Sequence, residues 1–332
     1  MEKRYKVAVI GLGKQANEDH IPGVLGSQKA ELVAVCDTDS VRVTRTAAEL
    51  SVPGFTDHTE LLKAVDLDFV VVATPHHTHA QIVENAARAK VHILKEKPFA
   101  TSGKEAAFLA DVAREHGVEI MTTLQRRFNP IYNSYFQLAD QIGDPFFVDV
   151  CYTMFIDAPH QGWRGSRTNA GGGCVIDMGY HMLDLIIWYL GMPSGVAATM
   201  SCQAVDAEYD AEDTASLLLR WPNGMHGTCI LSRFVPPKRE LVRVVGTRGI
   251  IEVERGSIRR LSNKGDVCEQ LTRERAWGPA AATQVDFFCR VLAGERRNPG
   301  GPDYHRQHAA VIDACYESKA TGTFIDPRKA LI

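Results

Sequence analysis

The sequence lacks the features that mark several large classes of protein. No run of about 18 apolar residues occurs, so no segment is expected to span a membrane. Lysine and arginine number 37 against 40 aspartates and glutamates, and without a basic excess nothing favours nucleic acid or an anionic membrane as a partner. Internal repeats and low-complexity tracts are also absent. What remains is the composition of an ordinary globular protein, with 332 residues, a length that suggests two domains.

The eight cysteines stand singly along the chain, and no two of them form a Cys-x-x-Cys pair. This spacing predicts neither a zinc site nor a disulfide framework. Free thiols in this number are typical of a reducing compartment. The charged residues at the N-terminus lead directly into a strand pattern, without the apolar segment of a signal peptide. We therefore expect a cytoplasmic protein without a bound metal.

Short apolar runs in the first 124 residues predict the strands of a parallel sheet, because they are rich in β-branched residues and alternate with helical patterns. Such an alternation is typical of a doubly wound α/β domain, here residues 1–124, whose strands all end at one ligand-binding edge. The predicted strands are 6–10, 32–36, 69–73, 92–94 and 118–122. The predicted helices are 39–50, 58–64, 78–89 and 102–116.

The pattern changes after residue 125, where strand candidates follow one another with turn signals between them and few helices. This predicts an antiparallel sheet in an α+β domain over residues 125–332. The strand candidates are 147–155, 196–205, 215–221, 227–233, 241–245 and 250–253. The predicted helices are 173–190, 280–293 and 303–320, of which the last two are candidates for packing on the first domain.

A glycine-rich turn, residues 11–16 (GLGKQA), follows the first predicted strand. Gly11 allows a tight turn, and Gly13 lets the backbone approach a pyrophosphate near a helix N-terminus. Asp37 ends the second strand, at the position where a carboxylate binds a ribose 2′-hydroxyl. Because the same carboxylate would repel a 2′-phosphate, we expect NAD rather than NADP as the cofactor.

Lys97 and a polar stripe on helix 173–190 are the candidates for chemistry. Lys97 follows the fourth strand, where an ammonium would stabilise the oxyanion that develops during hydride transfer from a carbinol; the alternative is a solvated side chain. The helix is apolar nearly all round, and Asp177, His181 and Asp184 share one face. His181 would accept a hydroxyl proton and Asp177 would orient it or bind a substrate hydroxyl, unless the three form a core network.

These residues and their surroundings resemble the Gfo/Idh/MocA oxidoreductases, the glucose-fructose oxidoreductase and inositol dehydrogenase family. The most specific matches are Glu-Lys-Pro at 96–98 and Asp-x-Gly-x-His at 177–181. The resemblance implies a Rossmann domain followed by a domain with a large open sheet, through which members form homodimers or homotetramers. It also implies Lys97 as the catalytic lysine, Asp177 as a substrate-binding partner and His181 as the proton acceptor.

The remaining candidate site residues come from the same resemblance and from the charged clusters. The cofactor positions, besides Lys97, are Gly11, Leu12, Gly13, Lys14, Gln15, Asp37, Thr74, Pro75, His79, Glu96, Gln125, Trp163 and Arg164. The substrate positions are Lys97, Arg127, Asp177 and His181. Four arginines (126, 127, 164 and 167) would suit a phosphate or a nucleotide-sugar, although solvent exposure is expected for most. The acidic residues 208, 210, 212 and 213 are expected to form a solvated loop, and the alternative is a contact with an amino sugar.

The sequence therefore predicts an NAD-dependent dehydrogenase that acts on a secondary hydroxyl of a sugar or cyclitol, or in reverse as a keto-sugar reductase. The substrate class follows from the resemblance alone. Two alternatives stay open. One is a glycoside-cleaving enzyme that uses NAD in a transient redox cycle, and the other is a non-catalytic regulator that responds to NAD.

Overall fold

The computed structural model describes residues 4–159, 161–203, 209–273 and 277–331. The strands are β1 (Tyr5–Ile10), β2 (Ala30–Cys36), β3 (Gly54–Phe55), β4 (Phe69–Val72), β5 (His92–Lys95), β6 (Ile120–Thr122), β7 (Pro145–Phe155), β8 (Gly195–Ser201), β9 (Thr214–Arg220), β10 (His226–Ser232), β11 (Phe234–Gly246), β12 (Gly249–Glu254), β13 (Ser257–Leu261) and β14 (Val267–Thr272). The helices are α1 (Ile21–Gly26), α2 (Ser40–Leu50), α3 (His58–Ala64), α4 (His79–Arg88), α5 (Gly103–His116), α6 (Pro130–Asn133), α7 (Tyr135–Leu138), α8 (Arg167–Ala170), α9 (Cys174–Asp177), α10 (Gly179–Leu190), α11 (Trp277–Leu292) and α12 (Pro302–Thr321). No described helix combines the length and the apolar character that crossing a bilayer requires.

The described chain divides into two compact units. The first consists of the described residues within 1–100, 104–128 and 276–305, and the second of those within 101–103, 129–275 and 306–332. The predicted domain division, 1–124 and 125–332, stays a prediction.

The first unit contains a six-stranded sheet in the order β3-β2-β1-β4-β5-β6, and every neighbouring pair is parallel. The central strands carry apolar residues on both faces, since Val9 and Val71 on one face and Ala8 and Val70 on the other are completely buried. Helix α11 packs on this sheet, and the ring of Phe288 meets that of Phe69 edge-on at 5.2 Å between centroids. The predicted doubly wound parallel sheet is confirmed. Strand β3 escapes prediction because it has only two residues.

The second unit contains an eight-stranded sheet in the order β14-β13-β12-β11-β7-β10-β9-β8. Its pairs are antiparallel except β7 with β10, so the prediction of a large, mostly antiparallel sheet is confirmed. One face is buried and the other is open: along β9, Leu217 and Leu219 are buried, whereas Leu218 between them is exposed. This alternation is what a sheet covered on one face requires.

The predicted helix 173–190 consists of two helices, α9 and α10, that are separated at Met178. Met178 keeps helical dihedral angles (φ −81°, ψ −44°), so the chain continues without a turn. Asp177 thus ends α9, and His181 lies in the first turn of α10. The expectation that the segment is buried holds, since Asp184 is as inaccessible as the apolar residues around it.

Candidate active site

The glycine turn has the geometry that a bound pyrophosphate needs. Gly11 has φ +94°, and a Cβ at this position would lie 2.6 Å from the carbonyl oxygen of Ala73, so only glycine lets β1 end so close to β4. At Gly13, a Cβ would meet nothing within 4 Å, which leaves the backbone open to an approaching group. A π-helical turn, Ala16–His20, follows. The turn therefore fits a dinucleotide phosphate at a helix N-terminus.

Asp37 is held at the end of β2 by two backbone donors. The Leu12 N–H donates to Oδ2 at 2.6 Å, and the Asp39 N–H donates to Oδ1 at 2.9 Å. These bonds orient the carboxylate next to the glycine turn. An ionised carboxylate accepts hydrogen bonds only, which suits the hydroxyls of a ribose and disfavours a phosphate. The acceptor carboxylate of Asp37 and the open glycine turn thus fit NAD.

Glu96, directly before Lys97, is the centre of a buried hydrogen-bond network. Its Oε1 lies 2.9 Å from Nε2 of His20 and accepts bonds from Oγ1 of Thr123 (2.9 Å) and Nε2 of Gln125 (3.3 Å). Burial would raise the pKa of Glu96, but the hydrogen bond and charge of His20, with the charge of Lys97, lower it to about 2. His20 was not predicted, because it lies 76 positions away and its partner is visible only in the fold.

The loop that carries Lys97 is also fixed from the other side by Lys95. Lys95 is completely buried, and its Nζ donates to the carbonyl oxygens of Pro98 (2.6 Å) and Phe99 (2.8 Å). Burial lowers the pKa of Lys95 from its usual value to about 7. Lys97 therefore follows β5 on a segment whose flanking residues are anchored by buried hydrogen bonds.

His79 fixes the loop after β4, where two further cofactor candidates lie. The ring is buried, and its Nε2 lies 2.8 Å from the carbonyl oxygen of Thr74. Burial lowers the pKa of His79 well below its usual value, so the imidazole stays neutral. Oγ1 of Thr78 donates to Oγ1 of Thr74 at 2.8 Å. These bonds hold Thr74 and Pro75 beside the glycine turn.

In the same turn, Lys14 is exposed and Gln15 is half-buried. Nζ of Lys14 is 3.7 Å from Oε1 of Glu18, and the Gln15 side chain donates to the carboxylate of Asp19. Their bonds to a cofactor remain a prediction.

In the second unit, Asp177 is paired with a buried arginine. Nη2 of Arg233 donates to Oδ2 of Asp177 at 3.0 Å, and Nη1 donates to the hydroxyl of Tyr209 at 3.0 Å. Arg233 is only 1% exposed. On the solvent side, Nε of Arg164 lies 3.7 Å from the same carboxylate oxygen, and its guanidinium stacks on the ring of Trp163. Arg233 was missed because an arginine after a strand resembles a solvated residue.

The acidic cluster is not the solvated loop that we expected. Glu212 and Asp213 are buried, and Oε1 of Glu212 accepts bonds from the Val175 N–H (3.0 Å) and the Tyr316 hydroxyl (2.9 Å). These bonds attach the segment to the start of α9. Asp210 is exposed as expected, and Glu208 lies outside the described residues.

Two of the four arginines also differ from the expectation of solvent exposure. Arg126 and Arg127 are buried in the first unit. Nη1 of Arg127 donates to the carbonyl oxygen of Pro299 at 3.0 Å, and its guanidinium stacks on Tyr304 with 4.1 Å to the ring centroid. Arg127 is thus built into the fold, and its contact with a substrate remains a prediction. Among the described residues, no three or more histidine, cysteine or acidic side chains gather as a metal would need.

Comparison with known proteins identifies a family, related sequences and a shared fold. Residues 5–124 match the model of an oxidoreductase family with an NAD-binding Rossmann fold, and residues 138–252 match the GFO/IDH/MocA C-terminal domain. D-xylose 1-dehydrogenase (NADP(+)) 2 of Haloferax volcanii is 30% identical over 323 residues, 92% of this chain and 94% of that protein. The rhizopine catabolism protein MocA of Rhizobium meliloti is 29% identical over 257 residues, 75% of this chain and 78% of that protein. A levoglucosan dehydrogenase, solved with NADH and levoglucosan, superimposes with a TM-score of 0.88 at 20% identity, over 98% of this chain and 99% of that chain.

Proposed function

The chain belongs to the GFO/IDH/MocA family of oxidoreductases, and we propose that it transfers hydride between NAD and a secondary hydroxyl, or the matching ketone, of a sugar, sugar derivative or cyclitol. It is an NAD(P)-dependent dehydrogenase that acts on CH–OH groups, with an NAD-binding Rossmann fold. One observation carries the proposed hydride transfer. Lys97 follows β5 at the same sheet edge as the glycine turn and Asp37, on a loop that Lys95 and Glu96 anchor.

NAD, when bound, supplies the hydride acceptor at its nicotinamide ring. The residues proposed to hold it are Gly11, Leu12, Gly13, Lys14, Gln15, Asp37, Thr74, Pro75, His79, Glu96, Lys97, Gln125, Trp163 and Arg164. Asp37 favours NAD over NADP because its carboxylate accepts ribose hydroxyls and would repel a 2′-phosphate. One relative is named for NADP(+), so the preference has to be measured on this chain.

Three side chains have separate roles in the proposed reaction. Lys97 places an ammonium beside the reacting oxygen, where it stabilises the developing negative charge. His181 accepts the hydroxyl proton, since a neutral imidazole is the base best suited to neutral pH. Asp177 accepts a hydrogen bond from a substrate hydroxyl. Arg127 is the weakest of the proposed substrate contacts, because its guanidinium is already stacked and hydrogen-bonded within the first unit.

We also propose that the chain forms a homodimer or homotetramer through the open face of the second unit's sheet. Leu218, Ile230 and Phe155 are exposed on strands of this sheet. Apolar side chains of this size on a sheet face favour a partner surface over water. A second copy of the chain would cover them in a symmetric pair.

The test is a turnover assay of the purified protein with NAD+ or NADP+. The panel contains inositols, free sugars, sugar phosphates, nucleotide-sugars and amino-sugar glycosides, and NADH absorbance is followed. Lys97→Ala and His181→Ala should each lower kcat for the best substrate by about 10²–10³-fold. Lys104→Ala, at an exposed lysine on α5, is the matched control and should keep the parent rate. Parent rates in the first two variants would refute the assigned roles.

A further inference from the structure

Arg233 is a fully buried cation that contacts a proposed substrate-binding side chain. We infer that Arg233 is a positioning and specificity-determining residue, which holds Asp177 as a charge-balanced carboxylate and so selects a neutral substrate that donates a hydroxyl at that position. The inference rests on the proposed function, because it names the substrate chemistry of the same site. It follows from three observations on the second unit.

The first observation is the geometry of the guanidinium. Arg233 follows β10 and directs two nitrogens at different partners, Oδ2 of Asp177 and the hydroxyl of Tyr209, both at 3.0 Å. Tyr209 is itself buried. The two bonds fix the guanidinium plane from both ends. One carboxylate oxygen of Asp177 is therefore bonded to Arg233. The Asp177 side chain is 17% exposed to solvent, whereas the Arg233 side chain is 2% exposed.

The second observation is the rigid attachment of α9, the helix that ends with Asp177. A Cβ at Gly173 would lie 1.8 Å from the carbonyl oxygen of Glu212, and one at Gly172 would lie 1.9 Å from the Tyr316 hydroxyl. Only glycine allows these approaches. The Cys174 N–H donates to the same Glu212 carbonyl oxygen at 2.8 Å. The buried acidic segment and Tyr316 thus clamp α9, so that Asp177 has little freedom to leave Arg233.

The third observation is the charge balance around Asp177. Burial lowers the pKa of Arg233, but the charges of Asp177 and Tyr209 outweigh burial and place it above the usual value. A buried, permanently charged guanidinium needs an anion beside it, and the Asp177 carboxylate is within hydrogen-bond distance of Arg233. Arg164 adds a second, half-exposed cation on the solvent side, and His181 lies one turn further along. The Asp177 carboxylate accepts hydrogen bonds in this setting, and proton transfer stays assigned to His181.

This balance predicts what the site accepts. With Arg233 and Asp177 both charged, the pair is neutral, and a sugar hydroxyl finds an oriented acceptor. A substrate ammonium gains little from the carboxylate because Arg233 already balances its charge. Removing Arg233 makes the charge of the site one unit more negative, and removing Asp177 makes it one unit more positive.

The experiment measures the dissociation constants of two matched probes in the presence of NADH at pH 7. The probes are the best neutral sugar of the turnover panel and its amino-deoxy counterpart, which carries an ammonium. Arg233→Met should favour the amino sugar over the neutral sugar by about fivefold relative to the parent, the factor expected for one charge at about 4 Å in water. Asp177→Asn should shift the same ratio by a similar factor in the opposite direction. The double variant should return the ratio to near its parent value.

Controls separate this role from simple damage. Arg328→Met removes an arginine from an exposed pair with Asp326 and should leave both constants unchanged. Arg233→Lys keeps the charge and should keep the parent ratio, although kcat/KM falls by up to about 100-fold if the carboxylate shifts by about 1 Å. If Arg233→Met does not fold by circular dichroism, Arg233→Gln makes the same charge change with a polar side chain.

Two results would overturn the inference. One is a ratio that stays constant in all variants, which would make Arg233 merely structural. The other is a shift of the same sign in Arg233→Met and Asp177→Asn. A parent protein that oxidises no member of the panel would instead refute the proposed function, so the two failures are distinguishable.

Discussion

Replacing Lys95 with methionine should remove a pH dependence of stability that this one buried ammonium creates. Lys95 lies beneath the Glu-Lys-Pro loop with no solvent exposure, and its pKa falls from 10.5 to about 7. In the unfolded chain the pKa returns to its ordinary value. Between these values the unfolded state binds more protons than the folded state, so the free energy of unfolding rises with pH. The burial penalty is fully present below about pH 7 and disappears towards pH 10.5.

The size of the effect follows from the two pKa values. Between pH 7 and 8.5, Lys95 of the unfolded chain stays protonated, whereas Lys95 of the folded chain loses its proton. Integrated over this range, the bound protons amount to about 1.5 for the unfolded chain and about 0.3 for the folded chain, and the difference raises the free energy of unfolding by about 1.6 kcal/mol. The comparison stops at pH 8.5 because, at higher pH, the buried cysteines lower the free energy of unfolding. Burial raises the pKa of Cys36 and Cys289 to about 12, so unfolding at higher pH releases their protons.

The assay measures urea unfolding at three pH values chosen from this range (about 7.0, 7.75 and 8.5). It compares the parent with Lys95→Met and with the control Lys104→Met, which changes an exposed lysine. The parent and the control should gain the same increment over this range, about 1.6 kcal/mol more than Lys95→Met gains. Because other groups titrate equally in all three proteins, the difference isolates Lys95. Parallel curves for the parent and Lys95→Met would refute the assigned burial of the ammonium.

Two further predictions concern the cofactor and the assembly. Asp37→Ala should raise the Kd for NAD by about tenfold, because a hydrogen bond to a charged group is lost, and it should reduce the preference for NAD over NADP. Fluorescence titration measures the Kd values of both dinucleotides, with Asp111→Ala, at an exposed aspartate, as the control. An unchanged Kd for NAD would contradict the proposed bond between Asp37 and the ribose. Leu218→Glu should reduce the mass measured by light scattering to that of a monomer, whereas Leu25→Glu, at an equally exposed leucine of the first unit, should not. A parent protein that is already monomeric would show the sheet-face proposal to be wrong.

Much of the fold was predictable because buried strands appear in the sequence as short runs of apolar residues. Residues 7–10 of β1, residues 32–36 of β2 and the whole of β4 are apolar runs, since both faces of a parallel sheet are covered. β13 and β14 left no such trace: β13 carries two arginines, and β14 is exposed along its whole length. The break at Met178 was equally hard to predict: Asp177 and Gly179 beside it are weak helix formers, but the apolar pattern continues on both sides and the dihedral angles of Met178 stay helical.

The candidate site was predictable only where chemistry and local pattern coincide. The glycine turn and Asp37 sit at strand ends with a fixed spacing, which a sequence displays directly. His20, Arg233 and Glu212 bond to partners that lie 76, 56 and 37 positions away in the sequence. Each resembles a solvated polar residue until the fold buries it against an opposite charge or a backbone donor.

Isotope transfer tests the central claim most directly. The best substrate of the panel, carrying deuterium on the carbon of the oxidised hydroxyl, is incubated with NAD+, and the NADH formed is analysed by mass spectrometry. Direct hydride transfer from the substrate carbon to NAD predicts one deuterium in each NADH and a slower rate with the labelled substrate. NADH without deuterium, or deuterium that returns to a cleaved sugar with no net NADH, would contradict it.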